Sequence, residues 1–423
     1  MQIEQSMHPS SNTGGHDYRL PLAILTSLFF MWGFITSLND ILIPHLKAVF
    51  SLNYFQAMAV NLAFFGAYAL VSYPAGALVK RIGYQNGIVT GLAIAATGCV
   101  IFASAADIQR YAVFLIALFV LASGITVLQV AANPYVTKLG EPSTASSRLT
   151  MTQAFNSLGT TVAPSFGAIL ILSVAAVSSA ELALMTDVEL AQYNIERAQA
   201  VKLPYYMLAS VLAMLAVIFK LIHLPTIVSE LTETRADNDS IWKHKHLVLG
   251  VVAIFVYVGA EVAIGSFLVN FIMDPAIGNM EEAEAAHYVT WYWGGAMVGR
   301  FIGAAVMFKV AANRVLIFNS VGATCAVIFT IMLDGQAAMI SILIVGLFNS
   351  IMFPTIFSLA IQRLGALSSQ GSGLLCVAIV GGALIPLIQG ALADQIGIQM
   401  AFFIPALCYL YIAWYGAKGH RPA

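Results

Sequence analysis

Three charged side chains stand where the surrounding sequence offers them no water. Asp40 follows Ser37-Leu38-Asn39, Glu261 follows Tyr257-Val258-Gly259-Ala260, and Arg300 sits in Gly299-Arg300-Phe301-Ile302-Gly303, each inside a run of apolar residues. At the centre of a membrane helix such a charge costs about 2.5–3.5 kcal/mol, so it is retained where it faces a wet cavity or a partner. Protonation of a carboxylate removes that cost, which makes Asp40 and Glu261 candidate proton-coupling groups. Helix packing through Asn39 is the alternative for Asp40, and an ion pair with Arg300 is the alternative for Glu261. Arg300 keeps its charge at any physiological pH, so it suits locking or gating better than proton carriage.

Uncharged polar residues gather on particular helix faces. Gln129 and Asn133 are one turn apart, and Gln153 and Asn156 are neighbours on another face. Asn39 and Asn349 add further amides, with Tyr257 and Phe353 beside the same runs. Amides both donate and accept, which suits a neutral polyhydroxylated ligand. Their alternative role is to tie helices together. Catalytic chemistry finds no footing. No His-Glu-x-x-His is present, and the eight histidines lie in termini, loops or helix ends. Ser372, between two glycines, has no histidine at its depth to activate it. Cys99, Cys325, Cys376 and Cys408 show no ligand or disulfide spacing. An enzyme, a metal centre and a cofactor are therefore not expected.

The elements that hold these residues follow from composition. Of 423 residues, 60% are hydrophobic and 9% are charged. A soluble domain carries about 25% charged residues, so the solvent for this exterior is a lipid bilayer. Apolar runs fall near 21–46, 56–79, 86–104, 111–137, 150–176 and 204–223, then 247–273, 286–308, 315–333, 338–362, 370–394 and 399–417. Runs of this length without alternation are helices, because hydrocarbon leaves no other way to satisfy the backbone. The expectation is an all-α membrane protein of twelve transmembrane helices. Its expected parts are a tail at 1–20, a bundle at 21–223, a linker at 224–246, a second bundle at 247–417 and a tail at 418–423. The first residues lack the pattern of a cleaved signal. A net charge of −1 offers no footing for nucleic acid.

Of the 19 Lys and Arg, only Lys47, Arg110, Arg197 and Lys202 fall opposite the N-terminal side, with Arg300 inside the bilayer. The positive-inside rule then puts both termini in the cytoplasm. Features recur between the two sets of runs. Gly124 and Gly346, Gly159 and Gly381, and Pro164 and Pro386 are each separated by 222, and Asp40 and Glu261 by 221. Parallel six-helix halves with a site between them are the expected architecture.

Particular motifs sharpen this. Phe30-Met31-Trp32-Gly33-Phe34, Leu38-Asn39-Asp40-Ile41-Leu42-Ile43-Pro44, Ala131-Ala132-Asn133-Pro134-Tyr135-Val136-Thr137, Gln153-Ala154-Phe155-Asn156-Ser157 and Phe353-Pro354-Thr355-Ile356-Phe357-Ser358-Leu359 run along nearly the whole chain. Together they resemble the L-fucose:proton symporter family of the major facilitator superfamily. The resemblance implies a monomeric sugar importer in a bacterial inner membrane that works by alternating access with cation symport, most simply H+ and alternatively Na+. It implies that Asp40 binds the coupling proton and that Gln153 and Asn156 contact sugar. Two departures matter. The fucose branch has Glu at the position of Gln129 and Gln at the position of Glu261. This pattern is closer to glucose/galactose and N-acetylglucosamine branches. A glucose/galactose-type hexose is therefore the expected substrate, with N-acetylglucosamine, mannose or fucose as alternatives.

Overall fold

The computed structural model describes residues 19–49, 54–170, 185–222 and 240–422. The tail before residue 19 and most of the expected linker lie outside the described residues. So do the side chains of Asn39 and Asp40, although helix α1 (Arg19–Val49) carries both positions.

Helices account for the described chain, and no strand occurs among the described residues. Helix α2 (Tyr54–Ile108) follows α1. Its membrane-competent part, 46 residues, would extend about 69 Å at 1.5 Å per residue, more than twice a bilayer core. It is two spans joined at Gly83, whose φ of 80° and ψ of 166° break the helix. That backbone region is open to glycine and costly for other residues. The separate runs expected at 56–79 and 86–104 are thus continuous helical elements on either side of one residue.

Helices α3 (Tyr111–Lys138) and α4 (Ala145–Leu170) complete the first five spans. A polar helix, α5 (Asp187–Ala200), precedes the sixth span, α6 (Lys202–Leu221). The start of α5 is fixed by a reciprocal cap. Glu189 N–H donates to the Thr186 hydroxyl, while the Thr186 N–H and hydroxyl donate to the Glu189 carboxylate, each at 2.8 Å. Those donors hold the Glu189 carboxyl below the usual carboxylate range.

The second half contains α7 (Lys245–Met273), α8 (Glu282–Val306) and α9 (Ala312–Met332) as unbroken spans. The tenth is split into α10 (Gly335–Asn349) and α11 (Met352–Ala360), and the eleventh into α12 (Ser368–Val377) and α13 (Gly381–Ile396). The twelfth comprises α14 (Ile398–Ala401) and α15 (Phe403–Trp414). Sequence periodicity predicted no such breaks.

Close backbone contacts show the two halves packing alike. A Cβ at Gly159 would lie 2.2 Å from the Phe30 carbonyl, and one at Gly381 would lie 2.0 Å from the Phe255 carbonyl. The fifth span therefore packs on the first as the eleventh packs on the seventh, through glycines 222 apart. This contact also corrects the pairing of the acids. Phe30 and Phe255 are 225 apart, whereas Asp40 and Glu261 are 221 apart. Four residues are about one helical turn, so Glu261 sits about 6 Å along its helix from the position equivalent to Asp40.

Candidate functional site

The first-half amides lie mainly on α3 and α4. Gln129 is 3% exposed, and its Nε2 donates to the Tyr68 hydroxyl at 2.5 Å, while Oε1 has no partner among the described residues. Asn133, one turn on, is fully enclosed with both amide atoms unpartnered. Gln153 is buried with Nε2 unpartnered. Asn156 is half-buried and donates to the Phe29 carbonyl at 2.9 Å. Asn156 thus ties α4 to α1, as its backbone packs against Gly33. An unpaired buried amide costs on the order of 1–3 kcal/mol by protein mutational data. Gln129, Asn133 and Gln153 carry four such atoms, a set suited to water or ligand hydroxyls.

The second-half residues form a chain of bonds. Tyr257 Oη donates to the Asn349 carbonyl at 3.0 Å, Asn349 Nδ2 donates to Tyr292 Oη at 2.8 Å, and Tyr292 Oη donates to the Glu261 carbonyl at 3.2 Å. Tyr257, Tyr292 and Asn349 are fully enclosed, so in this conformation they brace the backbone at Glu261. Phe353 is half-buried and stacks on Phe357 with centroids 6.0 Å apart. Tyr292 carries no sequence signal, because no charge or amide stands one turn from it, as Glu261 stands one turn from Tyr257.

Arg300 joins the parts. Its Nη2 lies 3.9 Å from Glu261 Oε1, with the two side chains 15% and 13% exposed. Its Nε donates to the Ser350 carbonyl at 3.1 Å, and its Nη1 donates to the Ser157 hydroxyl. The Ser350 carbonyl is available for a local reason. Its ordinary helical partner would be the N–H four residues on, and residue 354 is proline, which has none. One guanidinium thus contacts α7, the break between α10 and α11, and α4 of the opposite half.

Further bonds cross between the halves at the end of the bundle that carries Lys138 and Gly365. Ser146 and Ser358 hydroxyls are 2.5 Å apart, Ser147 Oγ donates to the Ala304 carbonyl at 2.6 Å, and Lys138 Nζ donates to the Gly365 carbonyl at 3.4 Å. Phe155 and Phe301 meet edge to face, 5.9 Å between centroids. On the other side of the seam the backbones of α2 and α12 touch. A Cβ at Gly76 would lie 2.8 Å from the Ser369 carbonyl, and one at Gly373 would lie 2.6 Å from the Ser72 carbonyl. The hydroxyls of Ser72, Ser369 and Ser372 are buried there without partners among the described residues. This end is shut. Nothing in the sequence marks these serines or the glycine pair as contacts, since both residue types are frequent in membrane helices.

The Ser146–Ser358 contact offers a direct test of closure. Oxygens this close place the two β-carbons within reach of a disulfide. Ser146→Cys/Ser358→Cys should stop transport when oxidised and recover it with reductant. Full activity of the cross-linked protein would mean that this contact does not need to part.

Two six-helix halves around buried unpaired polar groups, sealed at one end by separable side-chain contacts, define a multi-pass membrane transporter. The sequence profile described as Major Facilitator Superfamily matches residues 24–378. A glucose/galactose transporter of Brucella abortus (strain 2308) is 58% identical over 406 residues, 96% of this chain and 95% of that protein. The L-fucose-proton symporter of Escherichia coli (strain K12) is 35% identical, covering 93% of this chain and 92% of that one. A solved major facilitator transporter, FucP, in the outward conformation superposes with a TM-score of 0.90 at 33% identity, over 96% of this chain and 100% of that one. The chain belongs to the Major Facilitator Superfamily.

Proposed function

We propose that this protein imports a neutral hexose of the glucose/galactose type across a bacterial inner membrane, coupled to proton entry. The observation that carries the reading is the 58% identity, over nearly the whole of both chains, to a glucose/galactose transporter. Both termini and the shut end face the cytoplasm, so the conformation described is closed inward. The halves, 21–223 and 247–417, joined by the cytoplasmic linker 224–246, rock against each other, and one copy suffices. Gln129, Asn133, Gln153 and Asn156 serve the sugar from the first half, with Asn39 beside the coupling acid. Tyr257, Asn349 and Phe353 serve it from the second half. Asp40 carries the coupling proton, and Glu261 answers Arg300 at the gate while sharing in sugar and proton binding. The unpaired amide atoms of Gln129, Asn133 and Gln153 support this assignment, as does the placement of Arg300 between the halves.

The test is labelled galactose uptake into proteoliposomes under imposed gradients. One proton moving down 100 mV is worth about 2.3 kcal/mol, enough for roughly 40-fold accumulation. Wild type should approach that limit with an inward proton gradient. Asp40→Asn should lose accumulation yet keep sugar exchange at equilibrium. Accumulation that survives in Asp40→Asn removes Asp40 from coupling, and accumulation driven by sodium at clamped pH removes the proton.

A further inference from the structure

Two adjacent cavities open at the shut end of the bundle, about 620 Å³ and about 390 Å³. They share Pro142, Ser143 and Gln362, so they make one trough across the gate. Its walls come from both halves. Lys138 enters from the first half, and Arg363, Lys309 and His420 enter from the second. No Asp or Glu lines either cavity among the described residues. Hydroxyls accompany the cations, with Ser143, Ser358 and Ser368 on the wall of the larger cavity. Arg363 adopts a φ of 57°, a backbone region uncommon for a side-chain-bearing residue.

A topology signal accounts for basic residues on the cytoplasmic side, but it acts on whole loops. It gives no reason to collect them, without acids on the lining, around a hollow walled by both halves. Like charges facing across a seam weaken it, and an anion placed between them would reverse that effect. A phosphate group offers several acceptor oxygens, which match an arginine fork, two ammonium groups and nearby hydroxyls.

We propose that this trough is a phosphate-binding site on the cytoplasmic face, and that a phosphate monoester seated there holds the inner gate shut. Binding needs both walls, so the ligand favours the inward-closed conformation. By linkage it must then slow the step in which the gate opens. A phosphorylated sugar accumulating inside would restrain further import. The headgroup of an anionic phospholipid presents the same chemistry from another source.

Sugar exchange by the full-length protein, in right-side-out membrane vesicles, gives the measurement. Exchange without any phosphate ester first establishes that the protein moves sugar, so failure of the proposed function shows separately. Glucose 6-phosphate loaded into the lumen should slow exchange about fivefold, the lower range of allosteric coupling. Lumenal chloride at equal ionic strength should not. Lys309→Gln/Arg363→Gln should lose the inhibition, measured as the ratio of its own exchange rates with and without the ester. In proteoliposomes without phosphate ester, slowing by phosphatidylglycerol that the double variant relieves would support the site with lipid as its source. Two results overturn the proposal: no inhibition from either source, or inhibition that persists unchanged in the double variant.

Discussion

Arg300→Met should cripple the protein, lowering sugar exchange by roughly 100-fold or more, while the double variant Arg300→Met/Glu261→Gln should recover a folded, sugar-binding protein. The single change leaves the Glu261 carboxylate in a nearly closed site with its charge unanswered. Removing one member of a buried ion pair costs about 3–5 kcal/mol. It also removes the donor to Ser157 across the halves and the donor to the Ser350 carbonyl. Glutamine at 261 abolishes the stranded charge together with the proton-binding carboxylate, so it should restore thermal stability without restoring gate closure or coupling. Thermal unfolding of the purified variants, read as a double-mutant cycle, measures this. Strict additivity of the two changes would show that Glu261 and Arg300 do not interact. Arg300→Lys should fall closer to the methionine variant than to wild type, because an ammonium cannot reproduce a planar fork that serves two separate acceptors while facing a carboxylate.

The second large effect is steric. Gly373→Ala should drive the conformational balance away from the state in which the Lys138 end of the bundle is shut. The new carbon would sit 2.6 Å from the Ser72 carbonyl and 3.2 Å from the Gly76 Cα, all main-chain atoms that cannot swing aside. Overpacking costs about 1–3 kcal/mol. It applies only while α2 and α12 touch, so a cost of about 2 kcal/mol shifts the ratio of the two states about 30-fold. Ser369 is 1% exposed with the gate shut, so Ser369→Cys can report the shift. In protein with the exposed Cys325 replaced by serine, an impermeant maleimide should label Ser369→Cys faster when Gly373→Ala is also present. Equal labelling rates would show that the glycine contact does not set the balance.

Charge in an apolar run was the most legible signal in the sequence. Arg300 stood out because nothing but a partner or water tolerates it, and the structure gives it both a carboxylate and two oxygen acceptors. Ser157 was invisible by the same logic. A helical serine can satisfy itself on the carbonyl four residues back, as Ser157 does on Gln153 at 3.1 Å, so its presence requires no partner elsewhere. The glycine offset of 222 reported real packing, because a missing Cβ is needed wherever two helix backbones touch. The acid offset of 221 misled, since a carboxylate fixes no helix register. The breaks at 350–351 and near 378–380 leave no mark in the sequence pattern, because apolar periodicity measures surface, not the continuity of main-chain bonds.

The proline at 354 has a mechanical consequence. Because it supplies the vacant carbonyl that Arg300 occupies, the guanidinium is anchored to its own half whatever the other half does. When the two bundles part at the shut end, the only one of its hydrogen bonds that Arg300 surrenders is the one to Ser157. The residue works like a gate bolt riveted to one post, so each turnover starts with the bolt already aligned.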